Sequence, residues 1–276
     1  MTKPVFYAIL AAALYALNSP LSKLLLRDVP PTMMAGFLYL GAGLGMTVMG
    51  MVRKRTGHGG MEVRLTRKDL PYTLGMIVLS RTTAANASLL NNFEIVATSL
   101  IAMLLFREQI SRQLWAAIGL ITLSSILLFV EDAGCFRFSV GSLFVLLACT
   151  CWGLENNCTR CLSKCDPLEI VVVKGFCSGI GSVLIGFAVG ESLPVFGDIL
   201  KILLLGFVAY GLSIYFYVYA QRYLGAAKTS AYYAVAPFIG AFLSLLILRE
   251  KPGVLFLIAL AIMICGVWLI NQPVKD

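Results

Sequence analysis

The sequence predicts an all-α integral membrane protein: ten transmembrane helices arranged as two five-helix repeats, with an unusually short third helix. Three observations predict this. The first is composition. Of the 276 residues, 59% are hydrophobic and only 13% are charged, and the mean hydropathy is +0.87. Soluble domains are about 45–50% apolar and about 25% charged, so this chain has too little polar surface to cover a globule in water. The second is that apolar runs recur at about the 20-residue length that spans a hydrocarbon core. The third is internal repetition. Aligning Tyr15 with Trp152 puts Leu17 on Leu154, Lys23 on Arg160 and Pro30 on Pro167. Later, Arg107-Glu108 matches Arg249-Glu250, and Ala84, Ala85 and Ser88 match Ala226, Ala227 and Ser230. The repeats are therefore 1–132 and 138–272.

The first helix is expected at 4–26. It lacks a small-residue cleavage site and continues past Asn18, so it reads as a retained helix rather than a signal peptide. The second is expected at 32–52, and the basic loop 53–69 follows. The third is confined to 70–80. The others are placed at 83–105, 114–130, 140–162, 168–189, 199–221, 226–248 and 253–271. Pro30, Pro167 and Pro252 stand at the starts of apolar runs, where a missing N–H does little harm. Gly36, Gly41, Gly45 and Gly50, like Gly175, Gly179 and Gly186, suit close helix approach in lipid. The longest polar stretch, 53–69, is too short to hold a folded core.

The third helix is short by comparison with its repeat partner. The segment 198–228 of the second half corresponds to 69–86 of the first, a deficit of thirteen residues. Eleven helical residues reach about 16 Å, against a hydrocarbon core of about 30 Å. Charge bias favours ten crossings. With the N-terminus inside, the later inside loops carry Arg107, Arg112, Arg160, Lys164, Arg222, Lys228 and Lys275, and the later outside loops carry Arg137, Lys201, Arg249 and Lys251. Seven against four agrees with the positive-inside rule.

Two halves of five helices, an aromatic-Gly/Ala-x-Asn/Glu pattern in the first helix of each, and a helix ending Arg-Glu before the fifth together resemble the EamA-like branch of the drug/metabolite transporter superfamily. The stretch T-T-A-A-N-A-S-L-L-N-N at 82–92 is similar to that family's fourth helix, and G-A-A-K-T-S-A-Y-Y-A-V-A-P at 225–237 to its ninth. The resemblance covers nearly the whole chain. It implies inverted repeats, both termini in the cytoplasm and a central cavity between the halves. It says almost nothing of the substrate. Two departures stand out: Ile95 in the fourth helix where the ninth has Pro237, and the shortened third helix.

Ionisable groups inside apolar runs are the site candidates. Each costs roughly 2.5–3.5 kcal/mol at mid-bilayer on insertion scales, so it needs a partner or a wet cavity. Glu94, Glu155 and Lys174 qualify. Glu155 stands beside Asn156 and Asn157, and its repeat partner is Asn18, followed by Ser19 and Pro20. Asn91 lies one turn before Glu94. Glu155 and Lys174 either lock the sixth helix to the seventh or line a substrate or proton path. Tyr215, Tyr219 and Tyr232 are the tyrosines of the eighth and ninth helices that could face a cavity, although tyrosines also gather at membrane interfaces.

Other chemistries find little support. Cys158, Cys161 and Cys165 share a helical face that could hold a soft metal, but small residues packing in a reducing setting are the simpler account. His58 is the single histidine, so no metal site or catalytic triad built on several histidines can form. There is no phosphate-binding G-x-x-x-x-G-K-[ST] loop, no H-E-x-x-H and no G-x-S-x-G. No cofactor and no enzymatic activity are expected. The net charge of +8 is concentrated at Arg53, Lys54, Arg55, Arg64, Arg67 and Lys68 without interleaved aromatics, as in a cytoplasmic membrane loop, so no nucleic-acid partner is expected. The reading is a secondary-active exporter of small metabolites or amphipathic compounds, working by alternating access in the inner or plasma membrane. Its partners are the lipid bilayer, the substrate and protons as candidate coupling ion, and it acts as a monomer or homodimer. The alternative is a non-transporting or defective paralogue with a structural or interaction role, which the short third helix favours.

Overall fold

The computed structural model describes residues 2–26, 28–56, 62–79, 93–133, 140–248 and 253–272. The described residues are overwhelmingly helical. Helix α1 (Lys3–Ala16) and α2 (Asn18–Leu25) form one interrupted rod, followed by α3 (Pro31–Arg55). A short turn leads to α4 (Leu70–Leu79), and α5 (Phe93–Leu104) and α6 (Arg112–Ala133) complete the first half. The second half contains α7 (Val140–Leu162), α8 (Pro167–Ala188), α9 (Phe196–Gly206), α10 (Ser213–Leu224), α11 (Ala226–Tyr233), α12 (Ala236–Leu248) and α13 (Val254–Asn271). Five stretches among the described residues are long and apolar enough to cross a membrane: Lys3–Ser22, Pro31–Arg55, Pro167–Ala188, Phe196–Leu224 and Val254–Asn271. Helix α4, with 10 residues, reaches about 15 Å. The stretch 80–92, which holds most of the expected start of the fourth helix together with Asn91, lies outside the described residues, as do the loop tip 57–60 with His58 and the Arg249-Glu250 pair.

Two helices expected to be continuous are interrupted, and a third is distorted. The first breaks after Ala16 and the ninth after Tyr233. Each break lies four residues before a proline, Pro20 and Pro237. A proline has no N–H to offer the carbonyl four residues back, and its ring crowds that carbonyl, so the α-helix stops there. The eighth helix is continuous from 196 to 224 but widens into a π-helical segment, Phe207–Leu212, between α9 and α10.

Glycine governs the packing at the centre. Helix α3 lies against α8 on one side and against α9 and the π segment on the other. A Cβ on Gly175 would stand 2.5 Å from the Gly43 nitrogen, and one on Gly179 would stand 2.8 Å from the Leu40 nitrogen. These backbones are in direct contact, as small residues permit in lipid. Elsewhere α6 pairs with α13, where the Gln113 amide donates to the Leu269 carbonyl at 2.6 Å. Helix α1 pairs with α10, and α7 lies between α4 and α5. Helices α7 and α8 diverge from their shared turn, and α4 and α10 each touch both.

Links between the halves gather at the basic end. Arg222 binds Glu62 at 2.9 Å and donates to the Ser163 and Cys165 carbonyls. Arg53 pairs with Asp166, whose backbone N–H donates to the Val63 carbonyl at 2.8 Å. The Glu108 carboxylate accepts the N–H groups of Ala226 and Ala227 at 3.1 and 3.4 Å, capping the start of α11 from the other half. At the opposite end the Glu191 carboxylate accepts the Thr32 and Met33 N–H groups and caps α3 in the same way. Glu62 precedes α4 and Glu108 follows α5, yet both bind at the basic end. The chain from α4 to α5 thus begins and ends on one side.

Candidate functional site

Three ionisable side chains inside the apolar bundle meet near its middle. Lys174 of α8 donates from Nζ to Glu155 Oε1 of α7 at 2.7 Å, and both side chains are at most one-tenth exposed. Thr159, one turn after Glu155, donates to the same oxygen at 3.1 Å. Because α7 and α8 splay apart, Lys174 reaches across a gap rather than along a packed seam. The ion pair is thereby a bridge between two layers of helices. An unpaired charge in such surroundings is costly, and the partner offsets that cost.

The next residue faces elsewhere. Successive residues on a helix point about 100° apart, so Asn156 turns from α8 towards α5. Its side-chain amide donates to Glu94 Oε1 at 2.6 Å and to the Thr98 hydroxyl at 3.3 Å. Its backbone carbonyl accepts the Gln221 amide of α10 at 3.1 Å. Asn157 is fully buried and ties α7 to the Thr98 carbonyl at 3.0 Å. Gly153 makes this approach possible, since a Cβ there would lie 2.7 Å from the Thr98 nitrogen. Glu155 thus links α7 to α8, Asn156 links it to α5 and α10, and Asn157 adds a second link to α5. Glu94 lies near the start of the described part of α5.

A wall of tyrosines surrounds this cluster. Tyr15 of α1 contacts Tyr210 of the π segment, with ring centroids 5.7 Å apart, and Tyr233 of α11 at 5.6 Å. Tyr39 of α3 meets Tyr210 at 5.2 Å, and Tyr217 of α10 meets Tyr233 at 4.9 Å. Tyr15, Tyr217 and Tyr233 lie within electrostatic reach of Glu94. The hydroxyls are engaged by protein groups: Tyr217 with Ser230 at 2.8 Å, Tyr233 with Ser213 at 3.3 Å, and Tyr210 with Tyr15 and Asn18. The π segment and the breaks after Ala16 and Tyr233 all lie at this wall. Wide turns of this kind recur at functional sites.

The structure therefore brings together Asn18, Glu94, Glu155, Asn156 and Lys174 of the sequence-derived set. Asn91 lies outside the described residues. Three tyrosines of that set sit elsewhere. Tyr215 is near the Arg53–Asp166 pair at the basic end. Tyr219 packs against Tyr7 at 5.0 Å, with the Arg222 guanidinium over its ring, a place suited to a membrane interface. Tyr232 is 1% exposed and donates to Asn271 at 2.7 Å, inside the apolar core formed with α6 and α13. Sequence reasoning missed Tyr15, Tyr39, Tyr210, Tyr217, Tyr233, Thr98 and Gln221. Tyr15 carried a usable signal, because it is the repeat partner of Trp152 and stands one turn before Asn18. Among the described residues, no group of three or more His, Cys, Asp or Glu side chains is placed to hold a metal.

Chemically the arrangement offers one neutralised charge pair, a second carboxylate held by an amide, and aromatic faces from both halves of the chain. The chain matches the EamA-like transporter family over residues 2–130 and again over 139–272. It is 24% identical over 295 aligned positions to an uncharacterized transporter of Methanothermobacter thermautotrophicus, covering 95% of this chain and 84% of that protein. Its fold is similar to that of a protein of known crystal structure, with a TM-score of 0.80, 17% identity and coverage of 97% of this chain and 96% of the other.

Proposed function

The chain belongs to the EamA-like transporter family, and on that premise we propose a secondary-active transporter that exports small metabolites or amphipathic compounds by alternating access. The observation that carries this reading is the buried polar cluster, to which α1, α3 and α5 of the first half and α7, α8, α10 and α11 of the second all contribute. The packing supports two repeats of five helices. Exchanging the first to fifth helices with the sixth to tenth turns the α3–α8 and α6–α13 pairs into themselves. It turns the α7 contacts with α4 and α5 into the α1 contacts with α10 and α11. Inverted repeats related in this way hold a substrate at mid-membrane and expose it to each side in turn. Protons are the candidate coupling ion, and Glu94 and Glu155 are the groups able to take up and release them.

Reconstitution into proteoliposomes tests the reading. Glu155→Gln should lower flux at least tenfold while leaving the amount of folded protein unchanged, and Leu154→Ala should leave flux within twofold. Equal loss of folded protein in both variants would make the cluster structural. A second reading, a paralogue without transport activity, is favoured by the short third helix, which the sequence confines to 70–80. Inserting about ten apolar residues in α4 separates the two: flux that appears only after the insertion identifies a defective transporter.

A further inference from the structure

The part of the cluster that remains open carries an excess of negative charge. Glu155, Asn156 and Lys174 are buried, whereas Glu94 and the rings of Tyr15, Tyr39, Tyr210 and Tyr233 keep part of their surface. Lys174 is committed to Glu155. Among the described residues, Glu94 has the Asn156 and Thr98 side chains around it and no cation in contact. The hydroxyls of Tyr15, Tyr210 and Tyr233 are engaged with Ser213, Asn18 and one another, so their ring faces are what remains for a ligand. Aromatic faces carry negative potential and attract cations, most strongly where water is excluded.

We propose that this site binds organic ammonium ions with an apolar body, the ammonium on Glu94 and the body among Tyr15, Tyr210 and Tyr233. The inference rests on the transport reading for its biological sense, but binding and flux are separable. An organic anion would meet Glu94 with the nearest cation already paired. A zwitterion would gain from Glu94 and find no free cation for its carboxylate. A monovalent amine leaves the site neutral.

The test uses three probes with one aromatic body: 2-phenylethylamine, phenylalanine and 3-phenylpropionate. Binding to the purified full-length protein in detergent is read as ligand-induced thermal stabilisation. The amine should bind at least tenfold more tightly than the acid, with the zwitterion between them. Glu94→Gln should weaken amine binding at least tenfold, and Glu94→Asp should retain most of it. Tyr233→Phe, which keeps the ring, should bind as the unaltered protein does, and Tyr233→Leu should lose severalfold. This second pair keeps the proposal open to refutation if Glu94→Gln fails to fold. Acid binding as tight as amine binding overturns the proposal, and so does stabilisation by none of the three. Equal losses in Tyr233→Phe and Tyr233→Leu overturn the aromatic contribution. Counterflow of the labelled probes in proteoliposomes distinguishes the two readings. Amine binding without flux sinks transport and leaves this site standing, whereas flux of the acid alone sinks this site and leaves transport standing.

Discussion

Glu155 and Lys174 are joined at 2.7 Å with both side chains at most one-tenth exposed. Removing one partner strands the other in low dielectric, which typically costs about 3–5 kcal/mol, whereas removing both can be mild. Lys174→Met should therefore lower the melting temperature sharply, and the double change Glu155→Gln with Lys174→Met should recover much of it. A thermal double-mutant cycle measures this, and strict additivity would show that the two groups do not interact. Gly225 offers a second residue-scale case. Its φ of +80° and ψ of 176° belong to a region that is essentially glycine's alone. A Cβ there would also run into the Glu108 carboxylate. Gly225→Ala should destabilise by about 1–3 kcal/mol, visible as a lower melting temperature, and Glu108→Ala should relieve part of that loss. The charged site residues were legible in the sequence because ionisable groups stand out inside apolar runs. The tyrosines were not. Tyr232 and Tyr233 differ by one position, hence about 100° of helix face. That rotation puts one in the α6–α13 core and the other at the cluster, and nothing in the local sequence fixes it.

Helix existence and most boundaries were readable at the scale of elements, because apolar length and Pro positions are local. The interruptions at Pro20 and Pro237 were readable in principle, since proline acts on the carbonyl four residues back. The π segment at Phe207–Leu212 was not, because no residue type there signals a widened turn. Pro237→Ala should let α11 and α12 join into one rod. Circular dichroism should show unchanged or slightly higher helicity and the melting temperature should not fall, while flux drops severalfold. Undiminished flux would show that the break serves only packing. Helix α4 is the other element with a measurable consequence. The sequence confines this helix to 70–80, about 16 Å, far shorter than the core of an ordinary bilayer. Flux should therefore rise in thin bilayers of 14-carbon chains relative to 18-carbon ones, because mismatch is relieved there. A transporter indifferent to thickness would mean that α4 is shielded from lipid by protein.

For the whole molecule, composition and apolar runs reached the all-helical membrane class but not the neighbours of each helix. The sixth and seventh helices were expected to pack together because they are consecutive. The structure instead lets α7 and α8 diverge around α4 and α10, with Lys174 reaching across to Glu155. Neighbour choice depends on shape complementarity between distant segments, which one sequence read locally does not display. The loops expected inside, which hold Glu62, Glu108, Asp166 and Arg222, are bonded into one belt at one end. Reporter fusions at residues 60 and 276 should both read the cytoplasmic side; opposite readings would break the ten-crossing scheme.

The α3–α8 seam has a mechanical consequence. Where Gly43 meets Gly175, two main chains touch with no side chain interposed. Interlocked side chains resist sliding, because each must leave one notch before entering the next. A smooth main-chain contact has no notches. In a molecule whose halves rock, such a seam behaves as a bearing: it carries load between the halves while presenting little friction to their rotation. The same closeness leaves no room for wear: a methyl on Gly175 would stand 2.5 Å from the Gly43 nitrogen and force the two main chains apart.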